Sequence, residues 1–206
     1  MRDELVRPGA GGLLRLVLVG CLSVCGCYVG SARSATPADL SSAEGWERIG
    51  GVPEVRQVAR EDCGAASLAM VLGYWGRDVP RDALSAANVP GSERGLRADT
   101  LRDLARRQGL LAFLIPGQFG DLDRELQRGH PVLVGVVKRY GRRAYPHYEV
   151  VVGMSRRTQR ILTLDPADGL RVDSRTGFAA EWAAAGQVTL IVYPPRPDHG
   201  SAPHGR

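Results

Sequence analysis

Lysine is almost missing from this 206-residue chain: of its 27 basic residues only Lys138 is not an arginine, against 22 acidic residues, for a net charge of +5. That skew reads as a bias in base composition. No segment interleaves a basic stripe with aromatics, so no nucleic acid is expected as a partner. Arg142-Arg143 and Arg156-Arg157 read as solvated turns. No apolar run reaches the roughly 18 to 20 residues of a bilayer-crossing helix, which excludes a polytopic membrane protein. There is no internal repeat and no Gly-x-x-x-x-Gly-Lys-Ser/Thr phosphate loop. Neither a cofactor nor a metal is expected, because no ligand cluster stands outside the N-terminal segment. What is present, 44% hydrophobic and 24% charged residues, is enough for about one globular core.

The N-terminus stands apart. Arg2, Arg7 and Arg15 precede a short apolar run, Leu16 to Val24, the arrangement of a secretory signal peptide. Cys21, Cys25 and Cys27 crowd into or just after it, and zinc ligands are not expected in a targeting segment. A signal followed by cysteine resembles the lipobox of bacterial lipoproteins, whose cysteine thiol carries a diacylglyceryl group. Leu18-Val19-Gly20-Cys21 fits that pattern best but shortens the apolar run. Val24-Cys25-Gly26-Cys27 leaves a run of ordinary length, so Cys27 is the preferred lipid-bearing residue. Residues 1–26 are then a removed signal, 27–45 a Ser/Ala/Gly-rich flexible tether, 46–193 the folded domain and 194–206 a loose tail. Tyr28 is not the aspartate that resembles an inner-membrane retention signal. A periplasm-facing outer-membrane protein of the bacterial envelope, held by its lipid alone, is the expectation. Cys63 would be left as a lone thiol in an oxidising compartment, which marks it as reactive or intermolecular.

Within the domain, helices come first and strands second. Trp46 to Val58 reads as an extended entry, and Cys63 to Trp75 as a buried helix with Asp62 at its N-cap. Further helices are expected over Arg81 to Ala87, Leu96 to Gln108, Asp121 to Arg128 and around Phe178 to Ala185, with a turn at Pro90-Gly91. Leu110 to Ile115, Pro131 to Val137, Tyr148 to Met154, Arg160 to Leu164 and Val188 to Tyr193 are β-branched or apolar runs bounded by turns. The order predicts an α+β fold, N-terminal helices packed on a mainly antiparallel sheet.

Chemistry centres on Cys63. A cysteine at a helix N-terminus meets unpaired N–H groups and the positive end of the dipole, which favours a nucleophilic thiolate. A buried small core residue is the competing reading. A thiolate nucleophile needs a base and a group to orient it. His199 and His204 fall in the tail, and His130 before Pro131 reads as a turn residue. His147 opens a strand, and Asp165 closes the next one, although Asp165-Pro166 is equally a turn signal. On these residues alone the choice stays open.

Gln57, then Asp62-Cys63-Gly64-Ala65-Ala66 and Leu68 to Leu72, resemble the opening of the C39 peptidases, the papain-like double-glycine leader peptidases that process bacteriocins. His147-Tyr148-Glu149-Val150-Val151-Val152-Gly153 resembles their His motif and Asp165-Pro166-Ala167-Asp168-Gly169 their Asp-Pro-Ala-x-Gly motif. Gly95-Leu96 with the helix after it fits the middle segment. The resemblance spans about residues 50 to 193. It implies a papain-like fold with Cys63 as nucleophile, His147 as general base, Asp165 orienting His147 and the Gln57 amide donating to the oxyanion. It implies a peptide or leader-peptide substrate and an exporter or envelope assembly partner. The alternatives are a papain-like transpeptidase or transglutaminase, or a C39-like module that docks peptides without cleaving them.

Overall fold

The computed structural model describes residues 27–88 and 95–196. Residues 1–26 with Cys21 and Cys25, the Pro90-Gly91 turn, and His199 and His204 with most of the 194–206 tail lie outside the described residues.

Among the described residues eight strands form one sheet: β1 (Arg33–Ser34), β2 (Trp46–Arg48), β3 (Leu111–Pro116), β4 (Val132–Tyr140), β5 (Arg143–Ser155), β6 (Arg160–Asp165), β7 (Gly169–Ser174) and β8 (Val188–Tyr193). All pairings are antiparallel, in the order β1-β7-β6-β5-β4-β8-β3, with β2 added on β5. The helices are α1 (Cys63–Tyr74), α2 (Arg81–Ser85), α3 (Ala98–Arg107), α4 (Phe119–Gln127) and α5 (Arg175–Ala184). This is the expected α+β arrangement.

Helices cover both faces of the sheet. Leu133, Val150, Leu162 and Leu190 share one core with α1, α2 and α3. Val132, Val134, Val136, Val151 and Ile161 share the other with α4 and α5. Successive residues of β4 therefore point into opposite cores, which is why Val132 to Val136 reads as a continuous apolar run instead of an alternating one. Helix α1 has no polar face; every residue from Cys63 to Leu72 is buried. A helix apolar all round belongs in the interior, and its first residue is thereby fixed against the sheet.

Three local expectations differ from the structure. The segment expected as a flexible tether is laid along the domain instead. β1 pairs with β7, Val29 N–H donates to the Arg139 carbonyl at 2.9 Å, and the Tyr28 hydroxyl donates to Glu181 Oε1 at 2.5 Å. Small residues let this backbone sit close to a sheet edge whose hydrogen-bonding groups are otherwise unpaired. Asp62 holds the N-cap position of α1 as expected, but its side chain makes no capping hydrogen bond, because a 3-10 turn over Arg60–Asp62 runs straight into the helix. Its carboxylate accepts from the Ala59 N–H and the Ser85 hydroxyl instead. Finally, β4 and β5 run well past the apolar stretch as a hairpin arm. Charged residues from Lys138 to Arg143 ended the hydrophobic signal at Val137, yet the ladder continues to Tyr140–Arg143. An arm projecting beyond the core has no apolar face to betray it.

Candidate active site

Residue 63 is positioned by what surrounds the first turn of α1. A Cβ on Gly64 would meet the Tyr148 ring at 3.2 Å and Leu101 at 3.4 Å, so glycine lets the helix start close against β5. The Ser67 hydroxyl donates to the Tyr148 carbonyl at 3.0 Å, tying the helix to the strand residue beside His147. Cys63 is 6% exposed.

His147 sits within β5, paired with Val136 of β4, and not at the strand's opening as expected. Its Nε2 lies 2.8 Å from Asp165 Oδ1 at the end of β6. That same oxygen accepts the Ala167 N–H at 2.8 Å, which fixes the carboxylate in an Asx turn. An ionised carboxylate only accepts, so Nε2 carries a proton and donates. The other ring nitrogen, Nδ1, is left for the thiol.

The electrostatics agree. Burial works against a charged His147, but the Asp165 hydrogen bond and the Cys63 side chain against the ring outweigh it, and the imidazole is raised above its ordinary value. Burial alone would raise Asp165. The hydrogen bond from His147, its charge and that of Lys138 instead hold the carboxyl below the usual carboxylate range. The arrangement favours a proton on the imidazole, which lies between the Asp165 carboxylate and the Cys63 sulfur.

Gln57 lies on the segment before the 3-10 turn, and its N–H donates to the Pro166 carbonyl at 3.0 Å, next to the Asp165 turn. Its Oε1 is buried without a hydrogen-bond partner. A buried acceptor left unsatisfied costs about 1–3 kcal/mol; donation to an oxyanion would fall to the amide nitrogen of the same side chain. Gln57, His147 and Asp165 line one cleft of about 950 Å³ with Arg60, Tyr145 and Arg142.

Sequence reasoning missed the support beneath this cleft. Lys138 is buried, with Nζ 3.2 Å from Glu149 Oε1 and 3.0 Å from Glu181 Oε2. Burial works against the ammonium, and the two carboxylates outweigh it and raise its pKa. The available signal was one lysine inside a strand of an arginine-rich chain. His130, read as a turn residue, is instead structural: Nδ1 is 2.8 Å from Glu125 Oε2 and the ring stacks on Tyr193. Among the described residues no group of His, Cys, Asp and Glu is arranged to hold a metal ion, and no helix is long and apolar enough to cross a membrane.

The description of the peptidase C39 family matches residues 52–196. No curated protein matches the chain significantly. Among solved structures, the peptidase domain of Streptococcus ComA, a bi-functional ABC transporter involved in a quorum sensing pathway, is 24% identical with a TM-score of 0.57. That match covers 70% of this chain and 100% of the other. A C39-like peptidase from Bacillus anthracis is 18% identical with a TM-score of 0.59, covering 72% of this chain and 97% of its own. A double glycine motif protease from an AMS/PCAT transporter, solved with its leader peptide, is 24% identical with a TM-score of 0.54, covering 72% and 95%. At such identities these likenesses speak to the fold alone. It is the papain-like one of these peptidase domains.

Proposed function

Since the chain belongs to the peptidase C39 family of cysteine peptidases, we propose that it is an endopeptidase working through Cys63, His147 and Asp165, with Gln57 as oxyanion donor. The observation that carries this reading is a single imidazole hydrogen-bonded to a fixed carboxylate on one side and meeting the first thiol of a buried helix on the other. In this reading the Cys63 thiol passes its proton to His147 Nδ1, and the sulfur attacks the scissile carbonyl carbon. The carbonyl oxygen takes the negative charge and is met by the Gln57 amide and the Cys63 N–H. His147 gives its Nδ1 proton to the leaving amine, and a thioester remains. Water, deprotonated by His147, then releases the acid and regenerates the thiol. Asp165 keeps the ring in the productive tautomer and balances its charge throughout.

A peptide substrate is supported by the family and by the relative solved with its leader peptide. A transporter partner is supported by the ABC transporter to which the Streptococcus domain belongs. Gln57 supplies a direct check. Gln57→Ala should lower kcat by about 10²–10³-fold, the usual effect of one oxyanion donor, with KM little changed. Equal loss through KM alone would make Gln57 a substrate-binding residue instead.

The envelope placement is part of the same proposal, with Cys27 as the lipidated residue. Cys27 is exposed, and its carbonyl accepts the Gly141 N–H at 3.1 Å, where Gly141 lines the cleft. A lipid there would hold the cleft at the bilayer surface, without the slack of a long tether. Cys27→Ala should move the protein from the membrane to the soluble fraction; retention in the membrane would remove Cys27 as the anchor.

A further inference from the structure

The cleft carries a charge pattern that peptide-bond chemistry does not require. Its lining includes Arg60, Lys138, Arg142 and Arg143 against a single carboxylate, Asp165, which is already committed to His147. Lys138 is committed as well, to Glu149 and Glu181. Arg60, Arg142 and Arg143 have no carboxylate partner among the described residues; the Arg60 guanidinium lies over the Tyr145 ring at 4.3 Å. Elsewhere among the described residues about half of the arginines pair with a carboxylate, as in Arg56–Glu54, Arg97–Asp99, Arg124–Asp121 and Arg156–Asp123. In the cleft three unpaired arginines stand together beside His147 with no uncommitted carboxylate among the lining residues. Arg142 and Arg143 form the exposed turn that the sequence suggested, and that turn also borders the cleft.

The backbone that carries Arg142 and Arg143 is held in place. Gly141 has φ +57° while Arg142 keeps a negative φ, the pattern of a II′ turn that closes the β4–β5 arm in two residues. The N-terminal segment braces the arm through Val29 to Arg139 and Gly141 to Cys27, and the Tyr28 and Tyr140 rings pack at 5.6 Å. A braced hairpin fixes the backbone positions from which the exposed Arg142 and Arg143 side chains reach the cleft, and guanidinium groups can meet carboxylates bidentately.

We propose that this cleft selects acidic peptides, with aspartate or glutamate close to the scissile bond held by Arg60, Arg142 and Arg143. The proposal rests on the peptidase reading above and names its substrate class. Peptides of neutral or basic character gain nothing from these arginines, and basic ones are repelled.

The test is to incubate the purified protein with a proteome-derived peptide library and read the cleavage sites by mass spectrometry. The best peptide is then compared with its Asn/Gln counterpart. Acidic residues should be enriched around the cut. The amide counterpart should lose about tenfold in kcat/KM, the equivalent of two or three partly exposed ion pairs. That ratio should collapse in R142Q/R143Q, and R142E/R143E should turn the preference toward Lys- and Arg-bearing peptides, a gain that misfolding cannot mimic. Cleavage without acidic enrichment, with R142Q/R143Q cutting the same sequences, overturns the proposal and leaves the peptidase reading standing. Cleavage by neither the wild type nor C63A overturns both. Binding to phosphatidylglycerol vesicles that is lost in R142E/R143E, with peptide selectivity unmoved, reassigns the arginines to a lipid surface.

Discussion

Cys63→Ala should abolish peptide cleavage, by about a million-fold, while the protein stays folded. Removing a covalent nucleophile leaves only the catalysis that oxyanion donors and substrate positioning supply without it. The fold has little reason to fail. Cys63 is the first residue of α1, and the helix is secured by Leu68, Met70, Val71 and Leu72, all fully buried. Losing one sulfur should cost about 1 kcal/mol and lower Tm by only a few degrees. Cleavage kinetics and a thermal melt on the same preparation separate the two cases. A variant that unfolds would return Cys63 to the status of a core residue. A folded variant that still cleaves would move the nucleophile elsewhere.

His147→Ala is expected to be nearly as damaging to kcat, by about 10⁴-fold or more, since residues of one catalytic unit fail together. It should also slow alkylation of Cys63 by iodoacetamide, because the thiol loses the cation beside it. Unchanged alkylation would show that the imidazole and thiol do not act as a pair. Stability supplies an independent readout. His147 is raised from 6.5, so its contribution is fully present below 6.5 and is lost as pH rises through the folded value. Asp165 is lowered from 3.8, so its contribution is present above 3.8 and is lost as pH falls through the folded value. The pair therefore stabilises most between those two ordinary values. Denaturant melts of wild type and His147→Ala should differ most near pH 5 and converge in alkaline buffer. A constant difference across that range would mean that His147 contributes packing and no charge.

Much of the architecture is local in origin and so could be read early. Helix α1 follows from twelve mostly small and apolar residues without a proline, and β6 and β8 follow from compact β-branched runs. The opening at Gln57 to Leu72, the His147 motif and the Asp165 motif each named a residue by its neighbours. Other elements escaped for a common reason. β1 is too short to show a period, β2 was legible only as part of the extended entry over Trp46 to Val58, and β7 (GLRVDS) mixes polar and apolar residues. The far half of the β4–β5 arm is exposed and charged. All of these are strands only because another strand stands beside them, and a ladder partner distant in sequence leaves no local mark.

For the site, the division is similar. The sequence by itself determined the fold class, the buried helix headed by Cys63 and the set of side chains able to form a thiol–imidazole–carboxylate unit. Those are matters of residue type, hydrophobic period and motif order, which the chain carries wherever it goes. Tertiary structure alone decided which nitrogen of His147 meets Asp165, that Gln57 is left uncommitted, that Lys138 is neutralised beneath the cleft, and that the chain after Cys27 braces the arm instead of hanging free. It also decided that three arginines without acidic partners face the same cleft. Each of these is a statement about which groups remain unpaired once distant segments have met. Pairing is a property of the assembled packing, so it became legible only when the strands and helices had been brought together.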